Sequence, residues 1–332
     1  MPRSRQTTIR DLARELQVSH TTVSRALNGK GEGFISEETR RKVMETAARM
    51  NYRPHRVARA LATGRTGMIA LWVEDLRQPY AVSIMNHVLS QVNDPCVELV
   101  IRAMRPMDTT PQEVAQWHVD GILALDGVDY LRSLSAQGLT NCPPLVAMGD
   151  PPRIEVDHVG VDLYAGAVEA VRHLVAAGCR RIAFFTNDWG NREDEARYAG
   201  YTSTMQAAGR DPEYIVMTGN TREAARETIR AYVTREGCPD GLFCLSDAIA
   251  ISAYRGLLDL QLRVPEDVAL VGCDGLRETE YLERPLTTIV QPFDAMSALA
   301  WQFLRQRMED PSLPIQRRIL APRLEVRASS LR

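Results

Sequence analysis

From residue 67 onward, short uninterrupted apolar runs alternate with amphipathic helical patterns, and this alternation constrains the fold more than any other feature. The runs are Met68–Val73, Val97–Ile101, Gly121–Leu125, Leu145–Met148, Ile182–Thr186, Ile215–Met217, Leu242–Leu245 and Val268–Gly272. A strand with no polar face must be covered on both sides, which means a parallel sheet sandwiched between its crossover helices. Two such units in tandem predict two doubly wound lobes with a cleft between them. Ligands of open α/β sheets bind beyond the carboxyl ends of the strands. Those ends carry Glu74, Asp75, Asp126, Asp150, Asn187, Asp188, Trp189, Ser246, Asp247 and Asp274.

The first 66 residues have a different character. They hold 14 Lys/Arg against 6 Asp/Glu, leaving 26 of the 40 basic and 36 of the 42 acidic residues to the remainder. A polyanionic partner for the first segment alone follows from that split. The bias of the basic residues toward Arg runs through both parts, so it reflects composition and not a site. Thr8 followed by Asp11 forms a capping-box pattern, and Ile9, Leu12, Ala13 and Leu16 then share one helical face. Ser19 caps a second helix, His20 to Leu27, with Val23, Ala26 and Leu27 inward and His20, Thr21, Thr22, Ser24 and Arg25 outward. Ser36 caps a third helix through about Met50, whose Val43, Ala47 and Met50 close the core. Two short helices across a tight turn have helix-turn-helix spacing, and the second would enter the major groove. There an arginine can bond guanine bidentately, and a threonine offers a hydroxyl or a methyl to base edges. Pro54 then stops the third helix, and His55 to Ala62 reads as a basic helix too short to stand alone.

The runs TIRDLARELQVSHTTVSRALNG and ISEETRRKVMETAARMNYRPHRVARALATGRTGMIAL resemble the headpiece and hinge of the lactose-repressor (LacI/GalR) family, and the similarity extends over essentially the whole chain. Val119–Leu123, Gly160–Asp162, Leu245–Asp247, Val271–Asp274 and Pro285–Ile289 resemble that family's signatures in the expected order. The resemblance implies a fold: an α/β protein with an N-terminal all-α helix-turn-helix headpiece and a periplasmic-binding-protein-like sensor of two doubly wound parallel-sheet lobes. The corresponding divisions are a headpiece at 1–53, a hinge at 54–66 and a sensor at 67–332. Within the sensor, one lobe covers about 67–162 and 291–320, the other about 163–290 and 321–332. His20, Thr21 and Arg25 fall at base-reading positions, and Leu61 falls where the family wedges a leucine into the minor groove, bending the duplex. The full DNA-contacting set expected is Thr8, Ser19, His20, Thr21, Thr22, Arg25, Asn28, Tyr52, Arg56, Arg59 and Leu61.

In the sensor, Arg197 aligns with an arginine that grips the effector and Asp274 with a carboxylate that accepts hydroxyls. With Tyr80 or Trp189 as a stacking face, these groups suit a sugar. Asp75 and Ser246 complete the expected effector set. Asp247 is read as a cap of its helix or an effector contact. Three departures from the family pattern stand out: a longer glycine-rich turn over 28–34, Ser246 in place of a common asparagine, and Gly275 where many members carry a second acid.

What this implies is a cytoplasmic, sequence-specific transcription regulator, a repressor, whose operator affinity answers to a small molecule. Its partners would be double-stranded DNA with a near-palindromic operator, a sugar, and a second copy of itself. A nucleobase or other metabolite is the alternative effector, and a non-DNA-binding sugar-binding protein the alternative architecture. The headpiece and the absence of an apolar leader in MPRSRQTTIRDLARE oppose the latter. The helices around Pro79–Val92 and Ala248–Leu260 are apolar enough to be subunit interfaces, and no heptad tail for a tetramer follows the last strand-like run. No nucleophile elbow, phosphate loop or zinc motif is present, so neither an enzyme nor a metal or other cofactor is expected. The six cysteines, at 96, 142, 179, 238, 244 and 273, have no C-x-x-C spacing and are expected to be reduced thiols.

Overall fold

The computed structural model describes residues 7–27, 35–52, 60, 64–104, 118–136, 142–150 and 154–332. The chain divides into two compact units, Met1–Gly67 and Met68–Arg332.

Among its described residues the first unit has the helices α1 (Ile9–Glu15), α2 (His20–Leu27) and α3 (Glu37–Arg49). The capping box forms: the Asp11 amide donates to Thr8 Oγ1 at 3.3 Å, and the Thr8 amide donates to the Asp11 carboxylate at 3.0 Å. Ser19 accepts from the Thr22 amide at 3.0 Å and Ser36 from the Thr39 amide at 3.2 Å. Both α1 and α3 end on a left-handed residue, Gln17 (φ 53°) and Asn51 (φ 48°). Paired return bonds from Gln17 to Arg14 and from Val18 to Ala13, and likewise from Asn51 to Ala48 and from Tyr52 to Ala47, satisfy the last carbonyls. The first of these closures makes the tight turn between α1 and α2. Leu12, Ala13, Val23, Ala26, Val43 and Ala47 form the core, with Ile9, Leu16, Leu27, Met50 and Tyr52 packed around it. With so few buried side chains, each worth about 1–3 kcal/mol, caps worth about 1 kcal/mol apiece are a sizeable share of the stability.

The second unit holds two six-stranded sheets. In the first the order is β11-β5-β4-β3-β1-β2, all parallel, from β1 (Met68–Val73), β2 (Glu98–Ala103), β3 (Gly121–Leu125), β4 (Leu145–Met148), β5 (Asp157–Val161) and β11 (Arg317–Leu320). In the second the order is β12-β10-β9-β8-β6-β7, from β6 (Ile182–Asn187), β7 (Glu213–Met217), β8 (Gly241–Cys244), β9 (Ala269–Asp274), β10 (Thr287–Val290) and β12 (Arg323–Glu325). Only β12 runs antiparallel to its neighbour. Helices α4 (Pro79–Gln91), α5 (Val128–Ala136) and α10 (Phe293–Glu309) pack on the first sheet. Helices α6 (Leu163–Ala176), α7 (Ala196–Ala207), α8 (Arg222–Glu236) and α9 (Asp247–Asp259) pack on the second. The chain passes between the lobes three times: after β5, after β10 and between β11 and β12.

All eight expected runs are strands, several shifted by a residue or more at an end. Helix α9 buries Ile249, Ala250, Ala253, Tyr254 and Leu257 in its own lobe's core and leaves Ile251, Leu258 and Leu260 half-buried. Helix α4, by contrast, leaves Val82 and Leu89 exposed, as the edge strand β2 leaves Val100 and Ile101. All six cysteines are free thiols. Among the described residues no helix is long and apolar enough to cross a membrane.

Candidate functional site

The first unit offers a helix built to expose one edge. Burial of Val23 and Ala26 turns His20, Thr21 and Arg25 outward, and all three are exposed. Ser19 and Thr22 hold one another, with their hydroxyls 2.8 Å apart, so they shape the helix start more than they present free groups. Thr8 is exposed within its capping box. Tyr52 packs its ring against the small core, and burial pushes its phenol pKa up. The expected contacts Asn28, Arg56, Arg59 and Leu61, and the turn over 28–34, lie outside the described residues.

In the second unit, strand ends from both lobes converge on one cavity of about 420 Å³. All six expected effector residues line it: Asp75, Tyr80, Trp189, Arg197, Ser246 and Asp274. Arg197, on the first turn of α7, is buried. Its Nε donates to Glu195 at 2.7 Å and a terminal nitrogen donates to the Leu245 carbonyl at 2.9 Å. Burial opposes its charge, but the surrounding carboxylates, Glu195 foremost, outweigh that and raise its pKa. The guanidinium lies 5.8 Å from the centre of the Trp189 ring. Asp274 accepts from Gln291 Nε2 at 3.0 Å. Burial and then the neighbouring Asp247 charge hold its pKa well above the usual carboxylate range. Tyr80 meets Phe293 edge-on at 5.5 Å. Asp75 is bound by Arg77 at 2.9 Å, which lowers its pKa.

Two residues take roles other than those expected. Ser246, not Asp247, is the N-cap of α9, its Oγ accepting from the Ile249 amide at 3.3 Å. Asp247 turns away from its helix and is fully buried, accepting from the Gly275 amide (2.8 Å), the Leu276 amide (2.7 Å) and Thr288 Oγ1 (2.6 Å). It fixes the loop that carries Asp274. Gly275 has a physical reason to replace an acid: its φ is +81°, and a Cβ there would lie 2.9 Å from the Val290 backbone.

Sequence reasoning missed Gln78, Asn220 and Gln291 in the cavity wall and Glu195 behind Arg197. Gln291 directly follows β10, so the strand-end rule would have found it had that strand been recognised. Glu195 caps α7 by accepting from the Tyr198 amide at 2.8 Å, a role that glutamate seldom signals.

The first lobe crowds its acids. Asp126 sits in left-handed backbone (φ 55°) at the end of β3, and its carboxylate accepts from the Asp150 amide at 3.2 Å. Burial, and then the Asp150 charge, pushes the Asp126 carboxyl up to about 8. Unfolded, it titrates near 3.8. Between those values the folded chain binds the extra proton, so the Asp126 contribution to stability falls as pH rises from about 4 to about 8. Asp126→Asn keeps the acceptor for the Asp150 amide and removes that proton. It is expected to be more stable than the parent at pH 8 by at least about 1 kcal/mol, since one pKa unit is worth about 1.4 kcal/mol. The difference should shrink toward pH 4. Parallel urea titrations across this range check it, and an equal offset at all pH values would refute it.

Residues 8–55 match the family of bacterial regulatory proteins, lacI family, and residues 171–330 match a periplasmic binding protein-like domain. Over 328 residues the chain is 30% identical to the ribose operon repressor of Haemophilus influenzae, covering 97% of this chain and 98% of that one.

The chain belongs to the LacI family.

It is accordingly a DNA-binding transcription regulator under the control of a small-molecule effector. It is also 30% identical to the HTH-type transcriptional regulator DegA of Bacillus subtilis, over 98% of each chain. Among solved structures, the LacI-family chain is similar to the transcriptional regulator CelR in complex with cellobiose, at 27% identity and a TM-score of 0.68, covering 98% of this chain and 100% of that one. A lac repressor dimer bound to operator and the anti-inducer ONPF superposes with a TM-score of 0.84 at 22% identity, covering 99% of this chain and 100% of that one, and speaks for the fold alone.

Proposed function

We propose that this LacI-family chain is a cytoplasmic repressor that binds a near-palindromic operator as a homodimer, with affinity set by a sugar held between the two lobes of its sensor. The observation that carries this reading is the convergence of Arg197, Asp274 and Ser246 with Tyr80 and Trp189 on one cavity built from both lobes. A guanidinium and a carboxylate supply donors and acceptors to hydroxyls, and the rings supply a face for a pyranose or furanose. The names of the ribose operon repressor and the cellobiose complex support a sugar. A ligand touching both lobes favours one angle between them, which is the two-state element that allostery requires, with a coupling of about 1–3 kcal/mol. Exposed Val82 and Leu89 on α4 and Val100 and Ile101 on β2 support a subunit contact. In the headpiece we assign base reading to His20, Thr21 and Arg25. The reading is one of binding without turnover.

Selection of bound sites from random duplexes tests it. Two-fold related half-sites are expected, because protein symmetry is mirrored in the operator. Arg25→Ala should cost about 1–3 kcal/mol at one base pair of each half-site and leave the others alone. An unchanged binding profile removes Arg25 from the reading surface, and failure to enrich any sequence overturns the operator reading.

A further inference from the structure

The cavity described above gathers carboxyls that its own walls do not pair with a cation. Among the described lining residues Arg197 is the one cation, and it is already matched by buried Glu195 at 2.7 Å. Nearby Arg192 is paired with Asp194 at 3.7 Å, and Asp75 is held by Arg77 at 2.9 Å. The remaining acids are Glu74, Asp126 and Asp150 on the first lobe and Asp188 and Asp274 on the second. The bonds to Asp126 and Asp274 come from amides: the Asp150 backbone for Asp126, and the Gln291 side chain and Asp247 backbone for Asp274. No guanidinium or ammonium of the described residues is bonded to any of the five.

The acid at 126 is also held there against local preference. Its backbone is left-handed, and Gly149 opposite has φ +91° with a virtual Cβ only 2.1 Å from the Asp126 carboxylate. Only a glycine lets the carboxylate tuck into that corner, beside Tyr80 and Asp150. Closing two lobes over such a set confines carboxyls where water is scarce, which favours their protonated forms, as at Asp126, and favours equally a ligand whose cationic group takes the place of those protons. A metal ion is not the complement, because no group of three or more His, Cys, Asp or Glu among the described residues is placed to hold one.

We propose that the effector of this chain carries a positive charge, an amine or amidine on a hydroxyl-bearing skeleton, seated against Asp126 and Asp150 with hydroxyls toward Arg197 and Asp274. This rests on the reading of the cavity as the effector site and narrows it from sugars at large to amine-bearing ones. The same acids select against phosphorylated and carboxylated sugars, which would add charge of the wrong sign.

Two measurements on the full chain separate the charge inference from the effector reading. In the first, Ser246→Cys places a thiol in the cavity wall. Its modification by a cationic and an anionic methanethiosulfonate is timed at about pH 9, where the Asp126 carboxyl is ionised, each rate being divided by that of the same reagent with free mercaptoethanol and corrected for the parent chain. The normalised ratio is expected to favour the cation by about tenfold or more and to fall toward one when Asp126 and Asp150 are both asparagine. A ratio near one in the parent overturns the inference whatever the effector is. In the second, thermal shifts compare glucose, glucosamine and glucose 6-phosphate, with the galactose and mannose sets alongside. The amine of at least one set should bind about tenfold tighter than its hydroxyl counterpart, and Asp126→Asn or Asp150→Asn should erase that preference. A neutral sugar that binds best and is lost with Arg197→Ala overturns the charge inference and leaves the sugar reading standing. Silence from every sugar, despite a cation-favouring ratio, overturns the sugar reading and leaves the charged cavity.

Discussion

Arg197→Ala is expected to yield a chain that still selects its DNA site but no longer responds to any effector, and that melts well below the parent. The guanidinium is nine-tenths buried and holds three things at once: the Glu195 carboxylate, the Leu245 carbonyl and the edge of the Trp189 face. Its removal leaves Glu195 buried with a charge and only the Tyr198 amide as partner. Breaking a buried pair from one side costs about 3–5 kcal/mol, and the remaining amide bond puts this case near the lower end. For a unit of this size that corresponds to a fall in Tm of roughly 6–12 °C. Adding Glu195→Gln, which keeps the acceptor for the Tyr198 amide and removes the stranded charge, should recover most of the stability and none of the response. Scanning calorimetry with an operator-release assay reads both. A response that survives in the double variant would take Arg197 out of the effector site.

Asp247→Ala is expected to be as damaging, although this residue is absent from the cavity wall. Its carboxylate is the shared acceptor of two loop amides and a buried hydroxyl. Alanine strands those donors, each at a cost of about 1–3 kcal/mol. A total on the order of 3–5 kcal/mol follows if they act together. The loop it secures carries Asp274, so ligand affinity should fall with stability, whereas Asp247→Asn, which can still accept from the two amides, should lose less of both. Denaturant unfolding and ligand titration on the two variants check this. Equal stability of Asp247→Ala and the parent would refute the anchoring role.

Much of this architecture was legible because local and global demands agree. The caps at Thr8, Ser19 and Ser36 stand where the apolar periodicity begins, and strands such as β1, β3 and β4 have no polar residue to disguise them. β5 escaped because buried polar residues interrupt it. Asp157 is paired with Arg307 at 2.8 Å, and His158 Nε2 lies 3.0 Å from the Gly149 carbonyl oxygen, partners that lie 150 and 9 residues away in the chain. β11 and β12 escaped because edge strands can be mostly polar, as Arg317, Arg318 and Arg323 are here. In the site, Arg197 and Asp274 were legible by resemblance, whereas Glu195 and Gln291 acquire meaning only from the side chains they touch.

The triple passage of the chain between lobes has a consequence for how the protein is made. The strands that complete the two sheets, Arg317–Leu320 beside β5 and Arg323–Glu325 beside β10, are the last of the twelve to leave the ribosome. Until then neither lobe has its final edge, and the nascent chain carries two unfinished sheets at once. Termination shortly before residue 317 therefore leaves both sheets of the sensor with an unpaired edge, the kind of species that associates wrongly with other chains.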